Sequence, residues 1–367
     1  MSARVRVGFA GCGEVAAEKH MPAVGEVPDI EIAAAADVLP DRLEYVGRRF
    51  GVRRCYDDVS AMLAGGGGLD VVALCLPPAA QVPAALAALD AGLHVWIDPP
   101  TGLSMAECDR LMERARRSER MVTVGFHMRW HRLVRATREI LLSGRLGRVH
   151  TIRGIWSSPR QPARLKEWRR YRRLGGGALG EPAIDHFDLW CHLLGAELDT
   201  VFAETADDEW EDAAAVISGR MTNDVLVTAV LSERANHDVE LEIYGDAGRL
   251  RVSLVQFDGL ELYEAGALAS GPRHRLGRLV NFAKELPRAL PRMHRAGDYR
   301  TSYRDQWRHF LERMRLGRAA ESTLAEGRNA LAAMLAAHES AATGQPVRVA
   351  DIAAGRLPSA QPFESTK

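Results

Sequence analysis

Residues 8–16 read Gly-Phe-Ala-Gly-Cys-Gly-Glu-Val-Ala. Gly11 permits a tight turn, Gly13 leaves room for a pyrophosphate against the backbone, and Ala16 lets a helix pack closely on a strand. A phosphate held by Gly11, Cys12, Gly13, Glu14 and Val15 would sit on a helix N-terminus, where N–H groups and the dipole favour anions. Asp37 follows 24 residues beyond Gly13. A carboxylate there accepts hydrogen bonds from ribose hydroxyls and repels a 2′-phosphate, which points to NAD. Arg42 lies nearby in sequence and keeps NADP open. The competing reading is a glycine turn that only shapes the fold.

A second set, Glu181, Asp185, His186 and Asp188, follows the run Gly175-Gly176-Gly177. Glu181 precedes Pro182, as suits a first helical turn, so Glu181 and Asp185 fall on one helix face. If the two approach closely, repulsion raises one pKa and creates an acid/base pair at neutral pH. The duller alternatives are a carboxylate serving only the helix dipole and, for His186, a packing role. No His/Cys/Asp/Glu group has the spacing of a metal site.

The elements that must position these residues differ along the chain. Val5–Ala10, Ile30–Ala36, 71–76, His94–Ile97 and 121–125 read as short strands, several apolar throughout, as in a parallel sheet covered on both faces. Residues 41–50 and 80–91 are long enough for crossover helices, and Ser104-Met105-Ala106-Glu107 is a capping box. This is βαβ architecture. Past residue 148, Val239, Leu241 and Ile243 alternate with polar residues. Gly245-Asp246-Ala247-Gly248 then turns the chain, and Leu250, Val252 and Leu254 alternate again, which predicts an antiparallel hairpin with one wet face. Residues 213–217 and 225–231 read as further strands, 175–194 as a glycine turn plus helix, and 325–342 as a helix. The expected organisation is α/β: a Rossmann domain over 1–125 and a second α/β domain over 126–367, with a C-terminal helix packing back toward the first.

Composition narrows the class. The chain has 367 residues with 48 basic and 48 acidic side chains, so overall charge gives no argument for nucleic acid or an anionic membrane. Five scattered cysteines without a CxxC pair suit reduced thiols in a cytoplasm. No apolar run approaches a membrane span. The neutral sum hides two basic segments, 160–173 and 273–300, each with a net charge of +6, and an acidic run over 204–212. Arg164, Lys166, Arg169 and Arg170 form a candidate site for an anionic substrate group, or else a face paired with that acidic run. Trp168 and Tyr171 could stack on a sugar, and Arg129 joins the candidate substrate ligands. Only four lysines occur: Lys19, Lys166, Lys284 and Lys367.

Taken in order, Gly8–Ala16, Lys19-His20-Met21-Pro22-Ala23, Asp57-Asp58, Leu76-Pro77-Pro78, Ala91–Val95, Gly144–Val149, Gly175–Gly177, Gly245–Gly248 and Ala342–Val347 resemble the glucose–fructose oxidoreductase / inositol dehydrogenase (Gfo/Idh/MocA) family over most of the chain. The resemblance implies a Rossmann domain, a second domain on an open, mostly antiparallel sheet, and a catalytic cleft between them. It implies cofactor contacts at Leu76, Pro77 and Asp98, and homodimers or homotetramers formed through the sheet. The chemistry-bearing positions depart from the family pattern. Where the family carries Glu-Lys-Pro, this chain reads Asp98-Pro99-Pro100, so proline replaces the lysine; Pro99-Pro100 is a candidate cis peptide. Where the family carries Asp, His and Asp, this chain has Glu181, Asp185 and Asp188, and His186 is one residue out of register. One residue rotates a helical side chain by about 100°.

Three functions follow from this reading. The first is a nicotinamide-dependent oxidoreductase of a sugar, cyclitol or other polyol, in which Asp185, with Glu181 or His186, handles the hydroxyl proton. The second is a redox-neutral enzyme with tightly held NAD, performing elimination, epimerisation or glycoside cleavage. The third is a non-catalytic NAD-binding sensor. Lys166 is a further candidate for the missing ammonium, while His20, His127 and His131 read equally well as packing residues.

Overall fold

The computed structural model describes residues 3–65, 67–266, 271–293 and 297–356. Residues 294–296 of the second basic segment, and the end of the chain with Lys367, lie outside these. The chain divides into two units: Met1–His127 with Tyr303–Leu331, and Met128–Ser302 with the residues from Ala332 onward. The division falls two residues beyond the expected 125/126 boundary, and 303–331 belongs to the first unit.

The first unit holds a six-stranded parallel sheet: β1 (Val5–Ala10), β2 (Ile30–Ala36), β3 (Cys55–Tyr56), β4 (Val71–Leu74), β5 (His94–Ile97) and β6 (Val122–Val124), in the order β3-β2-β1-β4-β5-β6. The apolar runs of β4 and β6 are buried throughout. The helices Pro40–Phe50, Val59–Gly65, Pro78–Asp90 and Met105–Ser118 make the crossovers. Ser104 caps the last of these, accepting from the Glu107 N–H at 3.3 Å, while Glu107 Oε2 accepts from the Leu103 N–H at 2.9 Å. Strand order reverses between β1 and β4, and in such sheets ligands bind at the carboxyl ends of the strands beside that reversal. Segment 303–331 is fixed to this unit by aromatic packing and edge contacts. Trp307 stacks on Trp96 of β5 at 4.0 Å, and Thr323 bridges to Thr123 of β6.

The second unit is built on an eight-stranded mixed sheet. Its strands are β7 (Val149–Ser157), β8 (Leu198–Ala206), β9 (Ala214–Met221), β10 (Leu226–Ser232), β11 (Asp238–Gly245), β12 (Gly248–Ser253), β13 (Leu260–Glu264) and β14 (Val347–Arg348). The order is β13-β12-β11-β7-β10-β9-β8-β14; β7 and β10 run parallel, and every other pair is antiparallel. The hairpin expected over 239–254 is β11–β12, closed by Asp246 and Ala247. The helix Pro182–Leu194 lies on one face and buries Ile184, His186, Phe187 and Trp190. Gly154 of β7 makes that packing possible, since a Cβ there would lie 2.7 Å from His186 Cδ2. On β9 and β10 the register alternates. Ala215, Ile217, Val227, Ala229 and Leu231 are buried, whereas Val216, Leu226 and Val230 are exposed. Among the described residues no helix is long and apolar enough to cross a membrane.

The second unit also carries histidines that burial holds neutral. Burial lowers the pKa of His131 and of His338 to about 4, and that of His192 to about 3. Each binds its proton more readily when unfolded, so its stabilising contribution is complete above about pH 6.5 and is lost as pH falls toward 4. At pH 5 one such residue costs about 2 kcal/mol of stability. Urea unfolding of the second unit at pH 7 and pH 5 should show a marked loss at the lower pH, and His338→Met should reduce that loss. An equal loss in the variant would remove His338 from the account.

Candidate functional site

The loop after β1 takes the shape its glycines require. Gly11 has φ +86°, and a Cβ there would lie 2.3 Å from the Cys75 carbonyl oxygen. Only glycine fits both constraints. At Gly13 the nearest atom to a Cβ would be Arg42 Nη1, at 3.9 Å, so space remains beside the backbone. The chain is helical from 14 to 25, with a π-helical turn over Ala16–His20. Glu14 is exposed, and Val15 and Leu76 are half-buried; Pro77, also exposed, caps the helix after β4.

Asp37 ties this loop to the end of β2. Its Oδ2 accepts from the Cys12 N–H at 2.8 Å, its Oδ1 from the Leu39 N–H at 2.9 Å, and Arg42 Nη1 lies 3.2 Å from Oδ2. A ribose hydroxyl donating to this carboxylate would therefore share it with Arg42. Burial, and then the Asp37 charge, push the Cys12 thiol up to about 12, so Cys12 is no nucleophile. An open glycine turn, a helix start and an acidic acceptor at the end of β2 fit a dinucleotide diphosphate and its ribose.

Asp98 follows β5. Its N–H donates to Leu74 O at 3.0 Å, and Gln81 Nε2 donates to its carbonyl. Its side chain meets His20 Nε2 at 3.2 Å. The Pro99–Pro100 bond is cis. Neither proline has an ionisable group, so this loop carries no ammonium.

The second unit separates the residues that the sequence grouped together. Glu181 accepts from Arg160 Nη2 at 2.5 Å and pairs with Arg169 Nη2 at 2.7 Å. Arg160 Nε also donates to Glu233 Oε1 at 2.7 Å, and Trp210 Nε1 donates to Glu233 Oε2 at 2.7 Å. Burial raises the Glu233 pKa, and Arg160 opposes the shift. Glu181 thus closes a salt-bridge network with two arginines. His186 is buried beside Gly154, with Nδ1 2.9 Å from Pro182 O, and burial lowers its pKa. It faces the sheet, as its offset register implied. Asp185 is half-buried in the first turn of the helix.

Arg129 requires a correction. Its guanidinium grips Asp188 bidentately, Nε to Oδ2 at 2.8 Å and Nη2 to Oδ1 at 2.5 Å, and both side chains are buried. A guanidinium so engaged is a fold contact and is withdrawn from the substrate ligands. The basic segment is matched internally as well. Arg172 binds Asp212 through Nε and Nη2 at 2.7 and 2.6 Å, and Arg170 Nη2 donates to Pro162 O at 2.5 Å. Arg164, Lys166 and Arg173 remain exposed. Arg169 lies over the Trp168 ring and Arg173 over the Tyr171 ring, each at 5.1 Å, so one face of each ring carries a cation. Sequence reasoning missed Arg160, Glu233 and Trp210, because their partners are brought together by the fold from 21 or more residues away.

A parallel sheet of this order, with a glycine turn and an acidic β2 terminus, defines a dinucleotide-binding protein. Residues 5–126 match the oxidoreductase family with an NAD-binding Rossmann fold, and residues 134–251 match the GFO/IDH/MocA C-terminal domain. The chain belongs to the GFO/IDH/MocA family of NAD-dependent oxidoreductases. It is 24% identical to myo-inositol 2-dehydrogenase of Thermotoga maritima over 357 residues, covering 95% of this chain and 99% of the relative. Its fold is similar to that of levoglucosan dehydrogenase in complex with NADH and L-sorbose, with TM-score 0.79, 19% identity and coverage of 95% and 99% of the two chains. It is also similar to the WlbA dehydrogenase of Bordetella pertussis in complex with NADH and UDP-GlcNAcA, with TM-score 0.78, 20% identity and coverage of 95% and 98%.

Asp37→Ala should raise the NADH dissociation constant at least about tenfold, equivalent to about 1.4 kcal/mol, and weaken NADPH less because Arg42 is released. Fluorescence titration of both nucleotides checks this. Equal losses for both would assign Asp37 to loop structure alone.

Proposed function

We propose that this chain oxidises or reduces a secondary alcohol of a sugar, cyclitol or related polyol, with Asp185 as the carboxylate that the second unit offers to substrate. Hydride exchange with the substrate carbon is the chemistry that NAD supplies when bound. The observation that carries the residue assignment is the place of Asp185, half-buried in the first turn of the helix Pro182–Leu194. Glu181 and Asp188 are committed to arginines, and His186 is packed against β7. Asp185 stands where the resembled family carries its histidine. Neutral polyols are the preferred substrates in this reading, because Arg160 and Arg169 are neutralised by Glu181 and Glu233. The exposed Arg164, Lys166 and Arg173 would have to supply any anion contact.

The names of the relatives support the substrate class: one acts on myo-inositol, and another was crystallised with L-sorbose. The redox-neutral alternative is favoured by one feature, proline at the family's lysine position. Identifying the nucleotide released on denaturation, and its redox state during turnover of myo-inositol, levoglucosan and UDP-GlcNAcA, distinguishes the two. Net NADH formation with the neutral polyols is the expected result; product formed without change in the nucleotide supports the alternative. Asp185→Asn should lower kcat/KM by about 100-fold or more, and unchanged turnover would remove it from the mechanism.

We further propose that the exposed face of β8, β9 and β10 joins copies of the chain. Val216, Leu226 and Val230 are 52%, 46% and 46% exposed on it. Phe202, Thr228 and Arg220 line a depression on the same face. An oligomer would cover this apolar strip. The five free thiols suit a reducing cytoplasm. Light scattering should give a mass of at least two chains, and Val216→Glu combined with Val230→Glu should lower it. A monomeric wild type contradicts the assignment.

A further inference from the structure

The first unit contains a chain of hydrogen bonds that ends on a carboxylate. Trp307 Nε1 lies 3.2 Å from His20 Nδ1, and His20 Nε2 lies 3.2 Å from Asp98 Oδ1. Indole N–H can only donate, so His20 Nδ1 accepts and the ring proton sits on Nε2, pointing to Asp98. The His20 side chain is fully buried, and Trp96, Tyr303 and Trp307 pack around its ring edge-on. Trp307 is itself clamped on Trp96. The donor that reaches Asp98 is therefore rigid and neutral.

Asp37, Asp188, Asp212, Glu181 and Glu233 are each held by an arginine, whereas the Asp98 side chain meets His20. Its backbone is fixed by Leu74 and Gln81. Its side chain is 23% exposed. Oδ1 takes the His20 proton, and Oδ2 has no hydrogen-bond partner among the described residues. Gly125 leaves room for the group: a Cβ there would lie 3.3 Å from Asp98 Oδ1. The carboxylate stands immediately after β5, at the end of the parallel sheet where ligands bind. The titratable groups packed around it are His20, with Tyr303 behind it, and Cys75 after β4. Burial, and then the Asp98 charge, push the Cys75 thiol up.

We propose that Asp98 is the proton acceptor of this enzyme, replacing an ammonium that Pro99 cannot supply, and that His20 and Trp307 are its positioning residues. The proposal rests on the oxidoreductase reading above. In alcohol oxidation the carbinol C–H bond breaks and its hydride, with two electrons, passes to NAD+. The O–H bond breaks, its proton moves to Asp98 Oδ2, and the carbonyl forms. Reduction runs the same steps backwards, with protonated Asp98 as the acid. In this proposal Asp185 is not the group that takes the substrate proton, so its variant serves as the comparison.

The test compares Asp98→Asn, Asp185→Asn and Trp307→Phe with wild type, using myo-inositol or whichever polyol the wild type turns over. Asp98→Asn should lose about 100-fold or more in kcat, while its NADH affinity, read by nicotinamide fluorescence, falls far less. It should also lose the acidic limb of the kcat/KM–pH profile, which Asp185→Asn should keep. Trp307→Phe preserves the ring stack and deletes one N–H. It should lower kcat about tenfold with KM and NADH affinity unchanged, and 15N NMR should show His20 no longer confined to the Nε2–H tautomer. The proposal is overturned if Asp98→Asn retains kcat and the acidic limb, or loses NADH affinity in step with kcat. Should Asp98→Asn fail to fold, unchanged kcat in Trp307→Phe overturns it instead. Wild type that binds NADH but reduces no NAD+ with any polyol defeats the underlying oxidoreductase reading, and this proposal with it.

Discussion

A carboxylate taken out of water must recover its solvation from charge or hydrogen bonds, at a cost of several kcal/mol if it fails. That constraint organises both units. Asp37 is satisfied by two backbone N–H groups and Arg42, Asp188 by Arg129, Asp212 by Arg172, and Glu181 and Glu233 by a shared arginine, Arg169 and Trp210. A chain whose basic residues are nearly all arginine suits this task, because a planar guanidinium can grip two oxygens or bridge two acids. Each pair also removes an acid from the list of groups that can exchange protons with substrate.

The chemistry follows from what is left. In the first unit, Asp98 is held through a neutral imidazole and keeps one oxygen available. In the second, Asp185 stands half-buried in the first turn of its helix. By the family resemblance, Pro99 and Asp185 stand where the usual lysine and histidine would be. Their loss therefore need not mean loss of activity. In the proposed mechanism proton handling moves to Asp98, a carboxylate oriented by a histidine and a tryptophan.

Local patterns made much of the fold legible. The apolar runs of β1, β2 and β5 and the glycine turn after β1 could be read directly, since each is specified by consecutive residues. So could the hairpin β11–β12, whose alternation and two-residue turn are local. β3 and β14, two residues each, were too short to carry a period. β7 and β8 were missed because their burial does not alternate cleanly along the strand. The return of 303–331 to the first unit depends on Trp307 finding Trp96, a contact with no local signature. The site was less legible for the same reason. Spacing pointed to Gly11 and Asp37, and the fold brings the Asp37 carboxylate to the Cys12 N–H of the glycine turn. It could not show that Arg160 and Arg169 would capture Glu181, that Asp188 would consume Arg129, or that His20, Asp98 and Trp307 would meet across separations of 78 and 287 residues.

The central claim is net hydride transfer by a family member without the usual lysine. It is tested most directly with a polyol deuterated at the reacting carbinol carbon and NAD+ in stoichiometric amounts. The account predicts that the carbonyl product appears together with an equal amount of NADH carrying deuterium at nicotinamide C4. Product formed while the nucleotide stays oxidised and unlabelled would contradict it.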